Sequence, residues 1–164
     1  MWRRAWVDGV DHYIPWMWSP DTFRLVQNHG RGLLIQGTRE WTDIQVAAEL
    51  KVHLAAQAGV AVRVQGMTRY YALLLGAGER VRLVKVLDGE KVLGEAHFTW
   101  DYYQRIRLCL QVVGNCLQGW VDDQLFFEVY DEEASLDGGG IAIVCEDGCI
   151  SCGPVDIHRE EAPS

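Results

Sequence analysis

The chain has 164 residues, with 15 Lys and Arg against 23 Asp and Glu and a formal net charge of −8. That length suits one domain able to bury roughly two thirds of its unfolded surface. The acidic balance argues against a nucleic-acid partner, which would need a basic face to displace counterions.

No apolar run approaches the roughly 20 residues that cross a bilayer, so no membrane partner is expected. The start Met1-Trp-Arg-Arg lacks the apolar stretch of a secretory leader, which points to the cytoplasm. The five cysteines are an odd number and read most simply as free thiols in a reducing compartment.

Taken in chain order, residues 1–21 are the least regular: Trp2, Trp6, Trp16 and Trp18 crowd a stretch broken by Pro15 and Pro20. They are expected to form an arm across the edge of the domain, or a docking strip for another domain. Strands are expected at 22–27 and 32–36 around the turn Asn28-His-Gly-Arg-Gly32.

In 43–52, Ile44, Val46, Ala48, Leu50 and Val52 share one face, while Asp43, Gln45, Glu49 and Lys51 share the other. In 59–65, Val60, Val62 and Val64 are expected inward and Arg63 and Gln65 outward. Strands at 69–75, 81–87 and 91–98 follow, with turns at 76–80 and at Asp88-Gly89.

The cleanest alternation is Arg105-Ile-Arg-Leu-Cys-Leu-Gln-Val112, with Ile106, Leu108, Leu110 and Val112 on one side. It opens a meander through 116–121 and 125–130, turned at Gly114-Asn115 and at Asp122-Asp123. Strands at 140–146 and 155–158 close the fold, and the tail 159–164 reads as disordered or as linker. The pattern predicts an all-β chain: two antiparallel sheets packed face to face over 22–158.

Several segments in succession carry a resemblance. They are Trp41-Thr-Asp43-Ile44, Gly59-Val-Ala-Val-Arg63-Val-Gln65, Tyr70-Tyr71-Ala-Leu-Leu-Leu, the 106–115 strand ending in Gly114-Asn115, and Val121-Asp122-Asp123. Together they resemble the concanavalin A-like jelly-roll superfamily, in its laminin-G-like and 3-keto-disaccharide-hydrolase-like branch. Ile44 stands where that pattern has Tyr, and Asp123 where it has Gly. The blocks 37–41 and 64–71 are also similar to the β-sandwich appended to some bacterial ADP-ribosylglycohydrolase-type proteins. That similarity implies an accessory module beside a catalytic hydrolase domain.

The chemistry-bearing residues favour binding over catalysis. A retaining glycosidase needs two carboxylates about 5–5.5 Å apart. The nearest approaches, Glu128 with Tyr130 and Asp131-Glu132-Glu133, are one carboxylate short or sit at a strand end. Cys145, Cys149 and Cys152 with His158 make a weak zinc pattern, read as free thiols, so no metal is expected. The five histidines stand in no nucleophile motif and no phosphate-cradling loop is present, so no catalytic residue and no cofactor are expected.

A sugar site combines a flat aromatic with planar polar side chains. Arg63, Gln65, Tyr71, Lys85, Arg107, Gln118 and Trp120 supply that kit, with Gln111 and Asp122 beside them. The leading expectation is a non-catalytic module binding a carbohydrate or sugar-containing small molecule. Alternatives are an ordinary solvated face with Arg paired to Asp43 or Glu49, a docking domain using the tryptophan arm, and a glycoside or keto-sugar hydrolase.

Overall fold

The computed structural model describes residues 7–9, 12–15, 23–37, 41–76, 79–133 and 136–160, with side chains from Gly30 onward except those of Leu54, Pro154, Arg159 and Glu160. Described residues are all-β, in twelve antiparallel strands: β1 Val7–Gly9, β2 His12–Pro15, β3 Phe23–Gln36, β4 Asp43–Leu54, β5 Gln57–Gly66, β6 Arg69–Gly76, β7 Arg80–Leu87, β8 Glu90–His97, β9 Arg105–Val113, β10 Cys116–Val121, β11 Gln124–Tyr130 and β12 Gly140–Glu160. Among the described residues no helix is long and apolar enough to cross a membrane.

The 21-residue β12 organises the rest. Its first third, Gly140 to Glu146, pairs with Gln36 to Arg31 of β3 on one side and with β5 on the other. Beyond Gly148 it pairs with Gln27 to Phe23 of β3 and with β4. One hydrogen-bonded sheet, ordered β11-β10-β9-β4-β12-β5-β6-β7-β8, is thus bent into two layers along β12 and β3.

The corner is at Asp147, which has φ 49° and interrupts the register with β3. Its carboxylate accepts the N–H of Gly30 at 2.6 Å. Gly30 has φ 69°, a conformation glycine adopts without steric cost. The Asn28–Gly32 run is therefore a bend inside one continuous strand, not the hairpin turn its composition predicts. The two expected closing strands are likewise one.

The core lies between the layers. Val60, Val62, Tyr71, Leu73 and Leu83 of the first face Val46, Ala48, Leu108, Leu110 and Leu117 of the second, all buried. Gly119 of β10 has no side chain to keep the layers apart, and a Cβ there would stand 3.3 Å from Leu73 Cδ1.

The layers differ on their outer faces. Leu33, Ala61, Tyr70, Ala72, Leu74, Val84, Ala142 and Val144 form a second buried apolar set on the far side of the first layer. This explains why Tyr70 to Leu75 reads as an unbroken apolar run: a strand covered on both faces loses its alternation. In the second layer β9 and β10 alternate strictly between buried and partly exposed positions, so their outer face meets solvent.

Within the expected irregular arm, β1 and β2 are regular strands paired with β3. The rest of that arm, including Trp2, Trp6, Trp16 and Trp18, lies outside the described residues, as does the tail beyond Glu160.

Leu73 reaches across the centre of the core, so truncating it leaves a cavity both layers line. Leu73→Ala should lower stability by about 2–5 kcal/mol, read as a lower urea midpoint with an unchanged slope. An unchanged midpoint would mean the layers do not pack on this residue.

Candidate functional site

The structure divides the seven sequence-selected residues into an internal group and a surface group. Arg63, expected to point outward, is only 3% exposed. The reason is a β-bulge: Arg63 has φ 50°, and the pairing of β5 slips against β6 between Val62 and Gly66 and against β12 between Gly140 and Ile141. The bulge moves Val64 to the outer apolar set, opposite Val60 and Val62, against simple alternation.

Arg63 spends its donors inside. Its Nε donates to Thr42 O at 2.9 Å, and Nη1 donates to Gly114 O at 2.5 Å and Leu136 O at 2.6 Å. Asp43 Oδ1 lies 3.4 Å from Nη2 and also accepts the Gly114 N–H at 2.9 Å. The pairing to Asp43 weighed from sequence is present, and Arg105 stands 3.7 Å from Glu49.

Tyr71 and Lys85, cross-strand neighbours on β6 and β7, are 1% and 5% exposed and converge on Asp131, which is 4% exposed. Tyr71 Oη donates to Asp131 Oδ2 at 2.5 Å and accepts the Leu136 N–H at 3.0 Å. Lys85 Nζ stands 2.8 Å from the same carboxylate and donates to Glu133 O.

Gln65, half-buried, donates to Gly138 O at 2.8 Å. These four residues therefore fasten Asp131, Glu133, Leu136 and Gly138 to strands β5, β6 and β7. Burial would raise the Asp131 carboxyl, but the bonds from Lys85 and Tyr71 outweigh it and hold the group below the ordinary carboxylate range. Burial, then the bond to Asp131, pushes the Tyr71 phenol up, so it stays a proton donor.

The surface group forms on the outer face of the second layer. Strand register sets Gln118 opposite Gln111, Gln111 opposite Gln45, and Gln45 opposite His158, with Glu128 on the far side of Gln118. Five polar side chains thus cross five adjacent strands in one row. Among the described residues the amides of Gln45, Gln111 and Gln118 make no side-chain hydrogen bond, so they are available to a ligand.

Trp120 occupies the next level, opposite Cys109, which pairs in turn with Ala47. Small neighbours give the half-exposed indole room to lie over the sheet. Arg107 follows, its Nε 3.6 Å from Asp123 and Nη2 3.8 Å from Asp156. A cavity of about 220 Å³ lined by Ile44, Gln45, Gln111, Val113 and His158 adjoins the amide row. Burial pushes the Cys109 thiol up, so it is a poor nucleophile within the platform.

Gln45, Glu128 and His158 are absent from the sugar contacts chosen from sequence, where Glu128 is weighed for hydrolysis and His158 for zinc. Their alternation was legible, but lining them up with Gln118 requires the pairing of β12, β4, β9, β10 and β11. A larger groove of about 310 Å³, between Gln57, Arg80, Arg82, Glu95 and Glu146, offers less. Its groups are already engaged: Arg80 with Glu95 at 2.5 Å, Gln57 with Glu146 at 2.7 Å, and Arg82 with Gln57.

The carboxylates weighed for hydrolysis do not converge. Asp131 is buried, whereas Glu49 and Glu128 stand three strands and four residues apart on the outer face, on the order of 20 Å given spacings of about 4.8 Å across and 3.3 Å along the strands. Among the described residues no group of three His, Cys, Asp or Glu side chains could hold a metal ion.

Comparison with known proteins gives the fold its class. No family model and no curated protein sequence matches the chain. Among solved structures it is similar to the carbohydrate-binding module CBM66 from Bacillus subtilis, with a TM-score of 0.82 and 13% identity over 94% of this chain and 95% of that one. It is similar to a GH43 protein from Bacillus licheniformis, TM-score 0.71 and 12% identity, covering 95% of this chain and 37% of that one. Sheep galectin-11 in complex with glycerol gives a TM-score of 0.55 and 14% identity over 80% of this chain and 98% of that one. The protein has an antiparallel jelly-roll β-sandwich fold.

The internal cluster makes a pH-dependent prediction. Because the Asp131 pKa is lowered on folding, its contribution is complete above the unfolded value of about 3.9 and is lost as pH falls through the folded value. Lys85→Met should cost about 3–5 kcal/mol by stranding that carboxylate, and should also reduce the acid sensitivity of the thermal midpoint. A variant as stable as the parent, with the same pH profile, would contradict the pairing.

Proposed function

We propose that the outer face of the second layer binds a carbohydrate. Trp120 offers its ring to the CH face of a sugar. Gln118, Gln111 and Gln45 present donor and acceptor together to vicinal hydroxyls, and Arg107 supplies further donors at the rim. The observation that carries this reading is the row of three unpartnered amides beside an indole on an open sheet face. The fold it shares with a carbohydrate-binding module and a galectin supports the same reading. Arg63, Tyr71, Lys85 and Gln65 serve this site as its frame, because their polar atoms are engaged inside the chain.

We propose a non-catalytic accessory role, in keeping with the GH43 neighbour, in which the corresponding fold spans 37% of a longer chain. A sugar-nucleotide ligand of the ADP-ribose type has less support. That resemblance rests on 37–41 and 64–71, and residues 38–40 lie outside the described residues. Docking through the tryptophan arm has no described side chain to argue from.

Titration calorimetry against a panel of neutral mono- and oligosaccharides tests the proposal. Trp120→Ala should weaken binding at least 30-fold, about 2 kcal/mol for a stacking anchor. Gln118→Ala should weaken it about fivefold, near 1 kcal/mol for one hydrogen bond. Both variants should keep the parent melting temperature within a degree or two. Undiminished binding in Trp120→Ala would overturn the assignment.

A further inference from the structure

We infer that the ligand of this face is a neutral oligosaccharide of two or more rings, with Tyr130 as a second stacking platform; this deepens the carbohydrate reading above and rests on it.

Tyr130 is 60% exposed at the end of β11. It pairs with Cys116, as Glu128 pairs with Gln118, so both project from the same outer face as Trp120. From the level of Trp120 to that of Cys116 is four residues along β10, about 13 Å at roughly 3.3 Å each. Adding one strand spacing puts the two aromatics on the order of 14 Å apart. One sugar ring cannot touch both. The Gln111–Gln118–Glu128 level lies midway, so the face reads aromatic, amide row, aromatic. Val113 is exposed beside the Tyr130 end, opposite Cys116.

Tyr130 is held in place as well as exposed. The next residue, Asp131, is buried, donates its N–H to Asn115 O at 2.9 Å and anchors Lys85 and Tyr71 through its carboxylate. The backbone carrying the phenol is therefore fixed before a ligand arrives, which lowers the ordering cost of binding.

Charge decides against an anionic glycan. Arg107 is matched by Asp123 and Asp156 and Arg105 by Glu49, and Lys51 stands beside Arg105, six residues along β4 from Gln45 and away from the amide row, while Glu128 stands in the middle and the chain carries net charge −8. A sulfated or uronic chain would meet repulsion where a neutral one meets amides.

The test compares affinities of the full chain for mono-, di- and tetrasaccharides of the glucose, galactose, xylose and fructose series, and for one sulfated tetrasaccharide, by titration calorimetry. In the series that binds, the tetrasaccharide should bind at least tenfold more tightly than the monosaccharide. Tyr130→Ala should erase that advantage without changing monosaccharide affinity, Tyr130→Phe should retain it, and Trp120→Ala should weaken both. Equal affinity for one ring and four, a Tyr130→Ala variant that binds the tetrasaccharide like the parent, or tighter binding of the sulfated chain overturns the inference. If Trp120→Ala still weakens binding in those cases, the carbohydrate site stands, with a single-ring ligand in the first case, without the Tyr130 platform in the second and with an anionic ligand in the third. No saccharide binding by the parent, or none lost in Trp120→Ala, overturns both.

Discussion

The structure depends on one strand belonging to two layers. β12 runs for 21 residues with partners on both sides, and at Asp147 it turns the sheet over on itself together with β3. Backbone N–H and C=O groups at such a corner must find partners or be left unmade. The Gly30 N–H is satisfied by the Asp147 carboxylate, and Ala56 donates to Glu146 O at 2.9 Å beside it. Once the corner is fixed, β5 to β8 extend from the first stretch of the β12 edge that β3 leaves open, and β4 with β9 to β11 from the second stretch of that same edge, and the two close over one core. The outer faces then have different fates: apolar and buried on the first layer, polar and open on the second.

The buried charges at one end of the sandwich are a cost that needs a reason. Isolated from their partners, Arg63, Lys85 and Asp131 would be expensive to bury, and a paired cluster in a core is often no more stabilising than well-packed apolar residues. What the cluster provides is position. Arg63 ties the Gly114 turn to Leu136, and Asp131 ties Asn115 to Lys85 and Tyr71. Leu136 and Asp131 are thereby tied to the β9–β10 turn, next to the exposed Tyr130. Side chains chosen from sequence as ligand contacts thus form the mount for a surface they do not reach.

Period-two alternation in β4, β9 and β10 is legible because one of their faces is wet, and it puts Arg107 and Gln111 on the polar side of one strand and Gln118 and Trp120 on that of the next. The same rule failed at Arg63, since one extra residue in a bulge reverses which side every later residue occupies, and no local feature of Val62-Arg-Val-Gln65 announces it. Glycine and asparagine at 28–32 carry the composition of a turn, whereas the chain uses the segment to bend a strand that never leaves the sheet. The amide row was illegible for another reason: Gln45, Gln111 and His158 meet only through strand pairings separated by dozens of residues.

The most direct measurement of the central claim is a titration of the ¹⁵N-labelled protein with neutral oligosaccharides, followed by nuclear magnetic resonance. The account predicts that the side-chain amide signals of Gln45, Gln111 and Gln118 and the indole N–H of Trp120 shift together, while backbone signals around Arg63 and Leu73 stay in place. Shifts gathered instead at the Gln57–Glu146 groove, or around the buried Arg63, would contradict it.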